Sequence, residues 1–360
     1  MQEGMFMNSG MQLREEIFGS ERTEQEALQM IRETPGMYAN YMRLSERLKQ
    51  EVLDFCMGKC GLNLTYDPMF KSIFNPQQFP SRLEDFLSLC LGEEIKILNA
   101  LPTESSRLTE EGSLLVMDLL VRLQSGALAN VEIQRIGYLF PGQRCACYSS
   151  DLVMRQYSQV RDQCRRENKT FSYRQIQKVY TIVLFQDSPE EFHQFPGQYL
   201  HYAKQQFNTG LELDMIQEYL LIPLDIFLES QHNISNRWDA WLTVIASSDP
   251  ERILDVVLVY PEFGELYSQV FRFRDDIKEL MSMFSEALKI LDTNTTKYMI
   301  EEQKEKLRKQ EEELRKREEE IRKQREEIKS QQEELLSAKA ALAEKDSENQ
   351  RLKALLAAKE

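Results

Sequence analysis

The sequence is poor in imidazole and in the short motifs that announce common enzymes. Among 360 residues there are three histidines, His193, His201 and His232. A zinc site would therefore lean on the six cysteines. Cys56-x-x-x-Cys60 and Cys145-x-Cys147 lack the two-residue spacing of zinc knuckles, so buried thiols are expected instead. No Gly-x-x-x-x-Gly-Lys loop is present to cradle a nucleotide, which excludes a nucleotide cofactor of that kind, and no Gly-x-Ser-x-Gly elbow marks an esterase. Long apolar runs are missing too. The two richest, over 114–121 and 253–260, are interrupted by Asp118 and Asp255 and fall far short of the ~20 residues of a membrane span. Irregular cysteine spacing and an N-terminus without a charged-then-apolar leader predict a cytoplasmic protein without disulfides.

What is present is close to globular in composition, 42% hydrophobic and 29% charged. The net charge of -14 disfavours a polyanionic partner, but it is unevenly spread. Residues 301–360 are almost neutral, with 17 acidic and 16 basic residues. Residues 144–178 reverse the sign: Arg144, Arg155, Arg161, Arg165, Arg166, Lys169, Arg174 and Lys178 stand against Asp151, Asp162 and Glu167. Such a run is either a solvated helix face or a surface for a polyanion.

Hydrophobic periodicity divides the chain into a helical segment over 1–62, an α/β domain over 63–235, a helical region over 236–298 and a charged long helix over 299–360. In the first, Ala27, Met30, Ile31, Leu44, Leu48, Val52 and Phe55 recur at helical spacing around a break at Pro35-Gly36. Pro68 suits a first helical turn with Asp67 as its cap. A second helix over 80–91 carries Leu83, Phe86, Leu87 and Leu91 on one stripe and stops at Gly92.

Strands over 114–123 and 128–134 flank Gln124-Ser125-Gly126-Ala127, a hairpin. With Gly126 left-handed in a three-residue loop, residues 123 and 127 pair and Asp118 lies opposite Glu132. Alternation then puts Asp118, Glu132 and Gln134 on one face and Met117, Leu119, Val131 and Ile133 on the other. A helix over 142–167 and a strand over 179–185 follow, the strand pairing in parallel after a crossover. Two carboxylates held close by a hairpin suit a hard divalent cation, although buried acids on strands also occur as structural ion pairs.

The tail has one apolar column at Ile300, Leu307, Leu314, Ile321, Ile328, Leu335 and Leu342, while Lys304, Glu311, Glu318 and Arg325 occupy the complementary positions. Pairs such as Glu311–Arg315, Glu312–Lys316 and Glu318–Arg322 stabilise a solitary helix by ~0.2–0.5 kcal/mol each. A weak coiled coil, and with it a homo-oligomer, competes with that solitary helix.

The succession Asp67-Pro-Met-Phe-Lys71-Ser-Ile-Phe74, Asp118, Val131-Glu132-Ile133-Gln134, then Arg144 and Tyr148, resembles the recombination-promoting nuclease and transposase family of bacteria, within the PD-(D/E)xK nuclease superfamily. The resemblance covers roughly residues 65–230. It implies an α/β core, a mixed sheet flanked by helices, and a DNA endonuclease using Mg²⁺, with Mn²⁺ as substitute. By position Asp118 and Glu132 match the metal-binding acids, and Gln134 stands where the superfamily more often has lysine. Asp67 and Lys71 match the family's opening motif. Phosphodiester hydrolysis needs an activated water and positive charge at the phosphate, which a cation between two carboxylates supplies. Gln134 brings hydrogen bonds without charge. Arg144 and Tyr148 would hold a phosphate, and Arg155, Arg161 and Arg165 would neutralise the DNA backbone without reading sequence. Two other readings remain open: a catalytically weak or inactive DNA-binding scaffold assembling through its C-terminal helix, motivated by Gln134, and a nuclease acting on RNA.

Overall fold

The hairpin read from the sequence forms around Gly126 in the computed structural model, which describes residues 12–103, 117–135, 141–230, 233–290 and 296–357. Gly126 has φ +87°, the left-handed conformation that glycine adopts without a Cβ clash. The Leu123 N–H donates to the Ala127 carbonyl at 2.9 Å. Strands β2 (Leu119–Leu123) and β3 (Leu128–Gln134) then pair antiparallel, with Leu119 opposite Val131 and Val121 opposite Ala129, in the expected register.

The sheet has six strands in the order β1-β2-β3-β4-β6-β5. The remaining strands are β1 (Ile97–Ala100), β4 (Val179–Phe185), β5 (His201–Lys204) and β6 (Gln217–Pro223). β4 lies parallel to both β3 and β6, while β1 and β5 close the edges antiparallel. All seven residues of β4 are buried, as the run Val-Tyr-Thr-Ile-Val-Leu-Phe requires of a strand covered on both faces. This is the expected mixed sheet flanked by helices.

Helix α1 (Asp67–Ile73) and helix α2 (Pro80–Leu91) pack on one face of the sheet, and α3 (Pro141–Arg166) covers the other. Beneath α3, Tyr148 and Leu152 meet Leu120, Leu128 and Val179. On the opposite face Leu119, Val121, Val131, Ile182 and Ile222 join a larger core with Phe70, Phe74, Phe86 and Trp241. Trp241 belongs to α4 (Arg237–Ala246), which is followed by α5 (Pro250–Val259), α6 (Glu262–Arg272) and α7 (Ile277–Ile290).

Three local expectations are corrected. Asp67 is the first residue inside α1 rather than its cap; Tyr66 takes the cap position and its side chain makes no capping hydrogen bond. Asp118 precedes β2 by one residue, because the ladder begins only at Leu119. For the same reason Met117 escapes the strand alternation: it packs under α3 with Leu120 and Tyr148, not with Leu119. Residues 114–116 of the expected strand lie outside the described residues.

The region before α1 is tied to the later helices by backbone contacts. The Gly61 N–H donates to the Ser248 carbonyl at 2.6 Å, and the Leu62 N–H to the Tyr267 hydroxyl at 3.1 Å. A Cβ at Gly61 would stand 1.7 Å from that hydroxyl, so glycine permits the approach. Residues Met1–Thr293 make one compact unit. The second, Asn294–Glu360, contains α8 (Thr296–Ala357), a helix of 62 residues. All six cysteines are free thiols. Among the described residues no helix is long and apolar enough to cross a membrane.

Candidate active site

Asn130, Glu132 and Gln134 alternate along β3 onto the face covered by α3. All three are buried. The Glu132 Oε1 accepts from the Asn130 amide at 3.0 Å and from the Asp118 backbone N–H at 3.2 Å. In return the Asp118 Oδ2 accepts from the Ile133 backbone N–H at 2.8 Å. The hairpin therefore brings the two acids together and fixes each from the other's strand.

From across the sheet edge, α1 delivers a cation. Lys71 lies one helical turn after Asp67, so both side chains leave α1 on one side. Its Nζ stands 2.8 Å from Asp67 Oδ1 and 3.6 Å from Asp118 Oδ1. The otherwise puzzling Asp67-x-x-x-Lys71 motif thus feeds a positive charge to Asp118. The Arg135 guanidinium lies over the Tyr66 ring, 3.6 Å from its centroid, and its Nε donates to Gln186 at 2.9 Å. This stack pins the start of α1 to the end of β3. The sequence reading missed both Arg135 and Asn130. Alternation along β3 could have found Asn130; nothing local could have found the stack on Tyr66.

The electrostatics are those of a crowded anionic centre. Burial first, then the charges of Glu132 and Asp67, hold the Asp118 carboxyl well above its usual range, against the opposing pull of Lys71. Burial pushes Glu132 up to about 7, although the Asn130 amide, Arg144 and the Asp118 N–H favour its charged form. For Lys71 burial acts downward, yet the Asp118 and Asp67 carboxylates overcome it and raise the ammonium above the ordinary lysine value. Two acids crowded in this way are each stabilised in the charged form by added positive charge.

Gln134 is 2% exposed, and neither its amide oxygen nor its nitrogen has a hydrogen-bond partner among the described residues. A buried amide left unpaired costs ~1–3 kcal/mol, so the Gln134 amide is free to take a partner beyond the described side chains. Arg144 on α3 donates to the Tyr148 hydroxyl at 2.7 Å, and Tyr148 is buried, which orients the guanidinium toward Glu132's side of the sheet. Its charge is felt at Glu132.

The other basic residues of α3 are not gathered at this centre. Arg155 is paired with Asp151 at 2.7 Å and donates to the Pro102 carbonyl at 2.8 Å, so it fastens the helix to the end of β1. Arg165 is exposed and Arg161 half-buried against the Tyr157 ring, and both pair loosely with Asp162, at 3.9 and 4.0 Å. At ~1.5 Å per residue they lie ~25–30 Å along the helix from Arg144. They can reach only a phosphate far from the carboxylates.

Asp118, Glu132 and the unpaired Gln134 oxygen form a hard donor set, the kind Mg²⁺ accepts. Among the described residues no group of three His, Cys, Asp or Glu side chains is close enough to cage a metal. The donors fit an ion that keeps waters and completes its shell with substrate oxygens, as Mg²⁺ does, rather than a closed structural site.

The family model described as PD-(D/E)XK nuclease family transposase matches residues 64–298. No curated protein and no solved structure matches the chain.

Proposed function

Because the chain belongs to the PD-(D/E)XK nuclease family transposases, we propose that it is a divalent-metal-dependent DNA endonuclease with its centre at Asp118 and Glu132. The observation that carries this reading is the reciprocal fixing of those two acids, one buried and one part-buried, whose charged forms desolvation disfavours until a cation joins them. Asp118 and Glu132 would hold Mg²⁺ or Mn²⁺. Such a cation supplies positive charge against the phosphate oxygens and makes a water more acidic.

The chain's own residues do the rest. Asp67 holds Lys71 against Asp118, so an ammonium arriving from α1 furnishes the positive charge that Gln134 lacks. Gln134 offers its unpaired amide to water or phosphate. Asn130 fixes the rotamer of Glu132. Arg144, steadied by Tyr148, binds a phosphate next to the scissile one. Arg161 and Arg165 neutralise more distant phosphates of the same duplex.

Gln134 also supports a second reading, a DNA-binding scaffold that retains the nuclease fold with little or no turnover. Incubating supercoiled plasmid and a matching RNA with the purified protein, in Mg²⁺, Mn²⁺ or EDTA, separates the readings. Nicked or linear DNA that needs either metal supports the endonuclease. DNA bound but uncut supports the scaffold, and RNA cut in preference overturns DNA as substrate.

A further inference from the structure

The apolar column of α8 has no partner among the described residues. Leu307, Leu314, Ile321, Ile328, Leu335 and Leu342 recur every seven residues, and each is 50–65% exposed. Strict spacing of seven over five heptads is the pattern of a left-handed supercoil with another helix. Two assignments of the column are possible. Taken as heptad position d, it would put Lys304, Glu311, Glu318 and Arg325 in the second core layer. Taken as a, it puts Gln303, Gln310, Arg317, Gln324, Gln331 and Ala338 there. Burying neutral amides costs far less than burying charges, which selects a.

That assignment moves Glu311, Glu318 and Arg325 to the flanking e positions and Lys306, Glu313, Glu320 and Glu327 to g. In a parallel, in-register pair each g faces the e residue five positions on in the other helix. Lys306 then meets Glu311 and Glu320 meets Arg325, two attractive contacts. Glu313 meets Glu318 and repels, and Glu327 meets the neutral Gln332. An antiparallel pair would set the g columns against each other, and three of those four residues are glutamates. The charges therefore choose both the occupant and its direction.

We propose that α8 docks against α8 of a second copy of this chain as a parallel, in-register coiled coil with Leu and Ile in its a layer and glutamine in most of its d layer. Both copies of the first unit then attach at the same end of the pair. The pairing does not rest on the nuclease reading.

The test uses the full chain and no nucleic acid, so it can fail independently of the nuclease reading. Leu307→Cys and Ile328→Cys are made singly and oxidised beside wild type, which controls for the native thiols. Each variant alone is expected to give several-fold more covalent dimer than wild type. Cross-linking only when the two variants are mixed, or in neither, overturns the arrangement, as does a monomer at every concentration in sedimentation. Glu320→Lys is expected to weaken the dimer several-fold and Glu320→Lys/Arg325→Glu to restore it. Residues five apart do not meet on one helix, so restoration reports contact between copies; no restoration counts against in-register pairing.

Discussion

Asp118 and Glu132 hold each other through the backbone: the Asp118 N–H donates to Glu132 at 3.2 Å, and the Asp118 carboxylate accepts from the N–H of Ile133, the residue after Glu132, at 2.8 Å. Two acids that resist ionising together are thus held side by side by backbone groups. On the proposed reading, this crowding lowers the stability of the metal-free fold.

Asp118→Asn should expose that loss. Asparagine keeps an oxygen to accept from Ile133 while removing one of the two crowded charges. In EDTA at about pH 8 the variant should melt ~2–4 °C higher than wild type, equivalent to ~1 kcal/mol in a unit of this size. Cleavage should fall at least ~10³-fold. Calorimetry beside a plasmid assay checks both, and a lower melting temperature would count against the charge-crowding argument.

The pH dependence follows from Glu132. Its folded carboxyl titrates at about 7, against an ordinary 4.5. Between those values the folded chain holds a proton that the unfolded chain has released, so stability falls as pH rises. The contribution is complete below about pH 4.5 and gone above about pH 7. Thermal melts of metal-free protein should decline across this window, and Glu132→Gln should make the decline shallower, leaving the part that the raised Asp118 carboxyl contributes. Equal slopes in the two proteins would assign the effect elsewhere.

Lys71 and Asp67 should separate by role. Lys71→Met removes the ammonium beside Asp118 and should lower the cleavage rate ~10²–10³-fold with little change in DNA affinity. Asp67→Asn leaves the ammonium in place but loosens it, and should cost less. A Lys71→Met protein cutting at the wild-type rate would reduce the opening motif to a structural role.

The arginines of α3 should also divide. Arg155→Ala breaks the ion pair to Asp151 and the bond to Pro102, so it should lower stability by ~1–3 kcal/mol. Arg161→Gln and Arg165→Gln should leave melting unchanged, weaken DNA binding, and each reduce the salt dependence of log K by ~0.9. Filter binding across a salt series reads this directly.

Much of the centre was legible because it is local. Gly126 sets the hairpin register, and the register sets Asp118 against Glu132. The same alternation put Gln134 on that face. What stayed hidden depends on approach between distant segments. Lys71 reaches Asp118 only because α1 packs on the sheet, and Arg135 finds Tyr66 across 69 positions of chain. Met117 was assigned to the wrong face because strand alternation was carried past Leu119, where the ladder stops. The charge run on α3 read as one patch, whereas a helix of 26 residues spreads it over ~40 Å and gives Arg155 to an internal pair.

The most direct test of the centre is Mn²⁺ binding at about pH 7.5, measured by titration calorimetry or paramagnetic resonance on wild type, Asp118→Asn and Glu132→Gln. The account predicts binding to wild type that is lost or weakened at least ~10-fold in each variant while both remain folded. Undiminished Mn²⁺ binding in either variant would contradict the assignment of Asp118 and Glu132 as the metal centre.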